Sequence, residues 1–414
     1  MDIPQGYKQT ELGIIPEDWE IVNLGSVAKI NGRIGFRGYT TADLVGVGQG
    51  AYTIGGKHIT NMVLDLHDAE YISWQKYYES PEIMVRKGDI VFAQRGTLGK
   101  SAFIVNDIGP ATINPSLVLI NKIKCDNEYL SYWLQCDKIV EYICSINSQT
   151  SIPMITQNQI EHIPVVLSRI KAEQQAIAEA LGDIDGLIAT LDKKIAKKRL
   201  IKQGAMSQLL TGKKRLPGFS DPWVEKKLGE IGYTYSGLTG KSKDDFGQGN
   251  AKYITFLNVL ANPILKENLF GSITIRENEQ QNKVQFGDLF FNTSSETPED
   301  VGTCAVLLSY HEELYLNSFC FGYRLTDDNV LGLYLAYYFR SRLGRQLMTS
   351  LAQGATRYNL SKELFNASRI ILPETKDEQI AIATMLNDMD KEIDDLEAQR
   401  DKYRLLKSGM MQKL

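Results

Sequence analysis

The stretch KAEQQAIAEALGDIDGLIATL at residues 171–191 recurs in altered form as KDEQIAIATMLNDMDKEIDDL at residues 376–396. Aligned without a gap at an offset of 205, residues 171–209 and 376–414 are identical at 18 of 39 positions. Similar offsets, between 199 and 205, relate pairs elsewhere in the chain: Trp19 and Trp223, Gly88 and Gly287, Asn114 and Asn317, Tyr129 and Tyr334. The chain is therefore one unit written twice. Two copies are too few for a stacked solenoid, so we expect a pseudo-twofold pair.

Apolar residues recur at alternating intervals of four and three in both copies. This heptad spacing indicates a seam along which one long helix packs on another. The predicted packing positions are Ile177, Leu181, Ile184, Ile188 and Leu191 in the first copy, and Ile382, Leu386, Met389, Ile393 and Leu396 in the second.

Each helix would run for about 60 Å at ~1.5 Å per residue, and a helix of that length needs a partner for its seam. Residues 166–215 carry 11 basic and 5 acidic residues, whereas residues 373–414 carry 7 and 10. The opposite signs favour antiparallel pairing of the two copies. The alternative is two independent helices, each bound to its own domain. The sequence Thr375–Glu378 predicts a capping box at the start of the second helix.

Short runs of β-branched and aromatic residues, broken by Gly and Asn, precede each helix and predict strands. The expected fold is α+β, with two mixed β-rich domains separated by two long antiparallel coiled-coil helices. We place the two β-rich domains at residues 1–165 and 216–372, and the two helical regions at residues 166–215 and 373–414.

Composition is typical of a globular protein of more than one domain, with 43% hydrophobic and 23% charged residues over 414 positions. No apolar run reaches the ~18 residues of a membrane span, and MDIPQGYKQTELG does not resemble a signal peptide. The five cysteines form no CxxC pair, which favours reduced thiols in the cytoplasm.

Motifs for catalysis or metal binding are missing from the sequence. It contains no GxxxxGK[ST] loop and no HExxH, and the histidines at 58, 67, 162 and 311 are scattered. Asp183 and Asp185, like Asp388 and Asp390, lie two positions apart on a helix and face different directions. We therefore predict no catalytic and no metal site, and the remaining signal is recognition.

Glycine-loosened loops in both domains carry the residue types that read DNA. Arg reads guanine, Gln and Asn read adenine, and Lys and Thr suit phosphates. The candidate DNA-binding residues are Arg33, Arg37, Tyr39, Lys57, His58, Gln94, Arg95, Thr97 and Lys100 in the first domain, and Lys241, Lys243, Asn292, Thr293, Ser294, Arg357 and Tyr358 in the second. A solvated loop residue remains the alternative at each position. The loops differ between the copies, which suggests two different half-sites.

Neither domain is basic overall: residues 1–165 have a net charge of −5 and residues 216–372 of −2. Phosphate attraction dominates non-specific affinity. We therefore expect a local basic face on each domain, together with partner subunits that hold the DNA backbone.

The chain resembles, from end to end, the DNA specificity subunit of type I restriction–modification systems. The resemblance is carried by YKQTELGIIPEDWEIVNLG (7–25), KGDIVFAQRGTLGKSA (87–102) and AEQQAIAEALGDID (172–185), and by the duplication. It implies that each domain reads one half of a split DNA target and that the helices set the length of the unread spacer.

The resemblance also implies partners. Two methyltransferase (modification) subunits would dock on the helices, and restriction/translocase subunits would complete the complex. The chain itself would be non-catalytic and hold no cofactor, while S-adenosylmethionine, ATP and Mg would belong to partner subunits. Two other classes remain open from the residues alone: a stand-alone enzyme with a duplicated β-rich core, and a structural coiled-coil adaptor.

Overall fold

The computed structural model describes residues 3–60, 62–146 and 153–414. The chain folds into two compact units: unit 1 is Met1–Leu191 with Gln399–Leu414, and unit 2 is Asp192–Ala398. The two long helices, Lys171–Leu209 and Lys376–Met411, each contribute residues to both units. Each unit thus contains one strand-rich domain, the beginning of the helix that follows it and the end of the other long helix. The predicted α+β class is confirmed.

The first domain is built from short strands with helices between them. Its strands are β1 (Tyr7–Thr10), β2 (Gly13–Pro16), β3 (Trp19–Asn23), β4 (Lys29–Gly32), β5 (Leu44–Val45), β6 (Gly50–Ile54), β7 (Ile59–Thr60), β8 (Val63–Leu64), β9 (Glu70–Ser73), β10 (Ile90–Ala93), β11 (Ser101–Phe103), β12 (Ala111–Ile113), β13 (Leu117–Asn121) and β14 (Pro164–Ser168). Its helices are α1 (Leu24–Val27), α2 (Trp74–Tyr78), α3 (Asn127–Trp133), α4 (Asp137–Ser145) and α5 (Gln157–Glu161), and α6 (Lys171–Leu209) follows.

The second domain follows a similar order. Its strands are β15 (Trp223–Lys227), β16 (Gly232–Ser236), β17 (Phe246–Ile254), β18 (Gly271–Ile273), β19 (Leu289–Asn292), β20 (Ser294–Ser295), β21 (Cys304–Val306), β22 (Leu314–Leu316), β23 (Cys320–Leu325), β24 (Ala352–Gln353), β25 (Tyr358–Leu360) and β26 (Arg369–Pro373). Its helices are α7 (Leu228–Ile231), α8 (Phe256–Ala261), α9 (Gly332–Arg340), α10 (Arg342–Leu351) and α11 (Lys362–Ala367), and α12 (Lys376–Met411) follows.

Equivalent sheets form in the two domains. The antiparallel sheet β11-β10-β13-β4 corresponds to β21-β19-β23-β16, and in a second sheet β6 pairs parallel with β12 as β17 does with β22. The ribbon of β3 and β14, which closes the first domain, corresponds to β15 with β26.

One inner strand of each antiparallel sheet, β10 or β19, is buried at every position. Successive side chains of a strand point to opposite faces of the sheet, so both faces are covered here. Ile90 and Phe92 of β10 pack with the helices, while Val91 and Ala93 pack against the second sheet. The same division holds in β19, where Phe291 faces the helices and Phe290 the other core. The apolar runs DIVFA and DLFF therefore read as continuous rather than alternating.

The ends of the long helices run antiparallel inside each unit. In unit 2, Arg199 donates to the Glu397 carboxylate at 2.5 Å and Lys198 to Glu392 at 2.7 Å, whereas Arg215, beyond the end of α6, bonds Glu378 at the start of α12. In unit 1, Leu181 shares a core with Leu414. The predicted charge complementarity is thus realised as ion pairs.

The predicted seam has two kinds of environment. Ile177 and Leu181 pack in the core of the first domain, and Ile382, Leu386 and Met389 pack in the core of the second. Each helix therefore begins on its own domain, as the alternative of independent helices expected. Further along, Ile184, Leu191, Ile393 and Leu396 are buried and Ile188 is half-buried.

The helix α12 begins at Lys376, but the predicted capping box does not form. The Thr375 hydroxyl, which would accept from Glu378 N in such a box, is buried without a hydrogen-bond partner. The Glu378 carboxylate, which would accept from Thr375 N, instead accepts from Arg215 at 2.5 and 2.6 Å. Gln379 holds the helix start instead. Its amide donates to Pro373 O at 2.9 Å and accepts from Leu331 N at 2.9 Å.

Gln174 does the same at the start of α6. It donates to Ser168 O at 2.7 Å and accepts from Asp126 N at 2.8 Å. The glutamine of the repeated Glu-Gln pair therefore fixes the start of each long helix to the domain before it.

Candidate nucleic-acid interface

The loop after β10 in the first domain presents a set of polar side chains on a fixed backbone. Gln94 N donates to Ser116 O at 3.0 Å, and Gly96 N donates to Pro153 O at 3.0 Å. The Gln94 side chain is half-buried and donates to Pro115 O at 3.0 Å. Arg95 and Thr97 are exposed, and Lys100 is half-buried. The backbone around Arg95 is thus held while its side chain faces solvent.

The loop after β19 occupies the equivalent place in the second domain. Ser294 and Ser295 form β20, which pairs with β25 so that Ser294 faces Asn359 and Ser295 faces Tyr358. Arg357 is exposed, and Thr293, Ser294 and Tyr358 are half-buried. The candidates of the two segments 292–303 and 353–361 are therefore neighbours.

Asn292 lies at the base of this loop and is fully buried. Its amide oxygen accepts from Thr303 N at 2.6 Å, and its amide nitrogen donates to Asp300 O at 3.1 Å and Ser294 O at 3.3 Å. Both donors of the amide and one acceptor position of its oxygen thus serve the loop. Asn292 shapes the surface instead of presenting a donor to DNA.

Arg33, the first basic candidate, is also buried, with 8% of its surface exposed. Its guanidinium donates to Ile113 O at 3.1 Å, to the Thr112 hydroxyl at 2.9 Å and to Arg37 O at 3.3 Å, and it lies 5.2 Å from the Tyr39 ring centroid. Burial lowers the pKa of this guanidinium. Arg33 braces the turn that carries half-buried Arg37 and Tyr39.

His58 and Lys57 are adjacent in sequence but differ in environment. The His58 ring is 2% exposed, its Nδ1 accepts from Gly55 N at 2.9 Å, and burial lowers its pKa. Lys57 is exposed and donates to the Asp68 carboxylate at 3.3 Å. Only Lys57 can meet a phosphate without rearrangement of the loop.

Lys241 and Lys243 divide in the same way. The Lys241 side chain is 4% exposed, and its ammonium donates to Thr274 O at 2.7 Å and to the Glu279 carboxylate at 2.5 Å. Lys243 is exposed. The structure therefore leaves Arg95, Thr97, Lys57, Lys243 and Arg357 as exposed candidates, whereas Arg33, His58, Asn292 and Lys241 support loops from below.

A polar triad that the sequence did not reveal lies where the long helices meet each domain. In unit 1 the Tyr132 hydroxyl donates to the Asp185 carboxylate at 2.9 Å, and Lys407 donates to both Asp185 oxygens at 2.8 Å. The Lys407 ammonium also lies 5.2 Å from the Tyr132 ring centroid.

Unit 2 contains the same triad at an offset of 205. The Tyr337 hydroxyl donates to Asp390 at 2.9 Å, Lys202 bonds Asp390, and the Lys202 ammonium lies 5.3 Å from the Tyr337 ring centroid. Each triad takes its Tyr and Asp from one copy of the repeat and its Lys from the other. The signal was present in the sequence, since all three residue types are conserved across the 205-residue offset, but no pattern joined them.

The described residues contain no group of three or more His, Cys, Asp or Glu side chains placed to hold a metal ion. Within 3–60, 62–146 and 153–414, no helix is long and apolar enough to cross a membrane.

Comparison with known proteins finds the same family in both halves of the chain. The family model for the type I restriction modification DNA specificity domain matches twice, at residues 16–198 and 220–403. The type I restriction enzyme MjaVIII specificity subunit of Methanocaldococcus jannaschii is 29% identical over 225 residues, which cover 51% of this chain and 50% of that protein. A second relative from this organism, of the MjaX system, is 27% identical over 300 residues, which cover 64% of this chain and 66% of that protein. The chain thus spans half to two thirds of these relatives.

Among solved structures, the chain is similar to the S subunit of a type I restriction-modification system from M. genitalium. The TM-score is 0.60 at 14% identity, with 100% of this chain and 97% of that chain covered. At this identity the likeness concerns the fold. Because the family model covers most of both repeats, the chain belongs to the type I restriction modification DNA specificity domain family.

Proposed function

We propose that this chain is the sequence-specific DNA-recognition subunit of a type I restriction–modification complex. It reads a bipartite target with one half-site for each domain, and it carries out no chemistry itself. The observation that carries the proposal is one loop backbone built twice, with different side chains on it. Arg95 and Thr97 are exposed on it in the first domain, whereas the second domain has half-buried Ser294 and exposed Arg357.

DNA is the ligand that suits these loops. The exposed Arg95 side chain supplies bidentate donors for guanine, and exposed Lys57, Lys243 and Arg357 supply cations for phosphates. The net charge of −4 for the whole chain means that most of the non-specific attraction comes from other subunits. This chain contributes the choice of sequence.

The long helices are the proposed docking sites for two methyltransferase subunits. Leu200 and Leu405, which match at the 205-residue offset, are 68% and 75% exposed, and their neighbours Ile201 and Leu406 are 48% and 51% exposed. Exposed apolar groups of this kind mark contact surfaces. Two equivalent surfaces suit two copies of one partner, which would supply S-adenosylmethionine chemistry; restriction/translocase subunits with ATP and Mg would join this assembly.

The test is methylation mapping in a host that lacks DNA methylation. Co-expression of this chain with its methyltransferase partner is expected to methylate one bipartite motif with a fixed spacer. The chain alone and the methyltransferase alone serve as controls and should leave the DNA unmodified. Methylation or cleavage by the purified chain, or a motif that does not depend on it, contradicts the proposal.

A further inference from the structure

Three backbone hydrogen bonds around the candidate loops recur at matching positions in both domains. Gln94 N donates to Ser116 O at 3.0 Å, as Thr293 N does to Phe319 O at 2.9 Å. Ile155 N donates to Gln94 O at 3.0 Å, as Leu360 N does to Thr293 O at 2.9 Å. A third pair completes the set: Gly99 N to Ala93 O at 3.3 Å, and Gly302 N to Asn292 O at 3.1 Å. We call this shared backbone the loop scaffold.

One pair of facing residues in the loop scaffold carries different side chains in the two domains. Arg95 faces Met154 across an antiparallel bridge in the first domain, and Ser294 faces Asn359 at the same position in the second. Residues 154 and 359 match at the repeat offset of 205. A constant backbone with exchanged side chains is what two readers of different bases require.

We propose that Asn359 reads an adenine in the half-site of the second domain. The inference rests on the proposed function and adds to it a residue and a base. Asn359 is exposed, and asparagine can bind adenine through two hydrogen bonds, one to N6 and one to N7. In the equivalent pair of the first domain, Arg95 and Met154, the exposed side chain that can bind a base is Arg95, which suits guanine.

The position of Asn359 is unusually well held for a surface residue. Its strand β25 is paired on both sides, with Ser294 of β20 and Gln353 of β24. The loop that leads out of β20 is fixed from below by Arg345, whose guanidinium donates to Glu299 O at 2.7 Å and Gly302 O at 2.9 Å. A reading side chain needs this kind of fixed support for its hydrogen bonds to discriminate between bases.

The turn between β24 and β25 places a cation two residues from Asn359. Gly354 has a φ of +130°, and a Cβ there would lie 2.1 Å from Arg357 O, so the turn closes tightly only with glycine. Arg357 on this turn is exposed. A phosphate contact by Arg357 beside a base contact by Asn359 is the usual division of labour on DNA.

The experiment maps methylation by the complex of this chain with its methyltransferase partner, using genomic DNA of a methylation-free host as the probe. Asn359→Ala is expected to relax one A·T position in one half-site on the order of 10-fold, because one bidentate contact contributes about that factor or more. Arg95→Ala should relax a G·C position in the other half-site only. Asn329→Ala, at another exposed asparagine of the second domain outside the loop scaffold, should leave the motif unchanged.

Two results would overturn the inference. One is an unchanged motif with Asn359→Ala, and the other is an equal loss in both half-sites while thermal unfolding and methyltransferase binding match the wild type. If the Asn359→Ala variant does not fold, the Asn359→Gln variant is used instead. An altered base preference at one A·T position of one half-site supports the inference, and a wild-type motif contradicts it. Failure of the wild-type complex to produce any bipartite motif would instead refute the proposed function.

Discussion

His58 is neutral in the fold because its Nδ1 accepts a hydrogen bond from Gly55 N while the ring is buried, and burial lowers its pKa. The charges around it are Lys57, which also lowers the pKa, and Asp68, Glu70 and Asp65, which raise it but do not overcome burial. As the pH falls below the ordinary histidine pKa of about 6.5, His58 is therefore protonated in the unfolded chain before it is protonated in the folded chain.

We therefore predict that His58 lowers stability as the pH falls from 7 towards its depressed pKa, by at most about 1.4 kcal/mol per pH unit. Urea unfolding of wild type and of His58→Gln, whose amide oxygen can still accept from Gly55 N, measures the difference. His67→Gln is the matched control, since His67 is 79% exposed. Parallel pH curves for wild type and His58→Gln would contradict this assignment.

At the residue scale, the sequence suggested candidate residues in loops but did not predict which of their side chains are exposed. Lys57 and His58 are neighbours, and so are Asn292 and Thr293, yet one member of each pair is exposed or half-exposed and the other is buried. Burial of a polar residue depends on whether the fold brings carbonyls and amides to it, as with Arg33 and Ile113 O. Those partners are 80 residues apart, and no local pattern encodes them.

At the scale of elements, the triads fasten the long helices to the domains. Asp390 joins Tyr337 of α9 to Lys202 of α6, and their side chains are largely covered, at 25% exposure for Asp390 and 18% for Lys202. Burial, together with the nearby Asp390 charge, raises the pKa of Tyr337, so the phenol stays protonated and donates.

Asp390→Asn is expected to destabilise the protein by about 1–3 kcal/mol, because Lys202 is left partly buried without its anion. Asp185→Asn should cost less, since the Asp185 side chain is 41% exposed and water screens its contact with Lys407. Urea unfolding compares both with Asp388→Asn, whose exposed contact with Lys391 spans 3.5 Å. Equal effects at Asp388 and Asp390 would rule out a special role for the triad.

The elements themselves were largely accessible from the sequence. Heptad spacing and the duplication predicted two long helices, and opposite net charge predicted their pairing, which Arg199 and Glu397 realise. The capping box at Thr375 was wrong because a distant residue, Arg215, competes for Glu378. Local propensity is overridden where a tertiary partner offers a charged, bidentate contact.

At the scale of the whole molecule, the repeated exposed pairs predict two separable docking events. Leu200→Ser and Leu405→Ser should each weaken the binding of one methyltransferase subunit on the order of 10-fold, because each removes most of a contact side chain. The double variant should weaken the binding of both subunits by the same factor. Native mass spectrometry of the complex reports the stoichiometry directly.

Leu257→Ser provides the control for this experiment. Leu257 is 71% exposed, like the two helix residues, but it belongs to α8 in the second domain. It should leave the stoichiometry unchanged. Full binding by the Leu200 and Leu405 double variant would show that the partner docks elsewhere.

The packing of Leu414 and Met411 in the core of the first domain has a consequence for synthesis on the ribosome. Cys136 and Met411, whose thiol and carbonyl are 3.6 Å apart, are separated by 275 residues of chain. At ~5–20 residues per second, the first domain waits roughly 15–55 s after Cys136 is made before its last partners exist. During that interval the apolar surface that later receives them is open, so nascent chains should depend on chaperones more than the stability of the finished protein suggests.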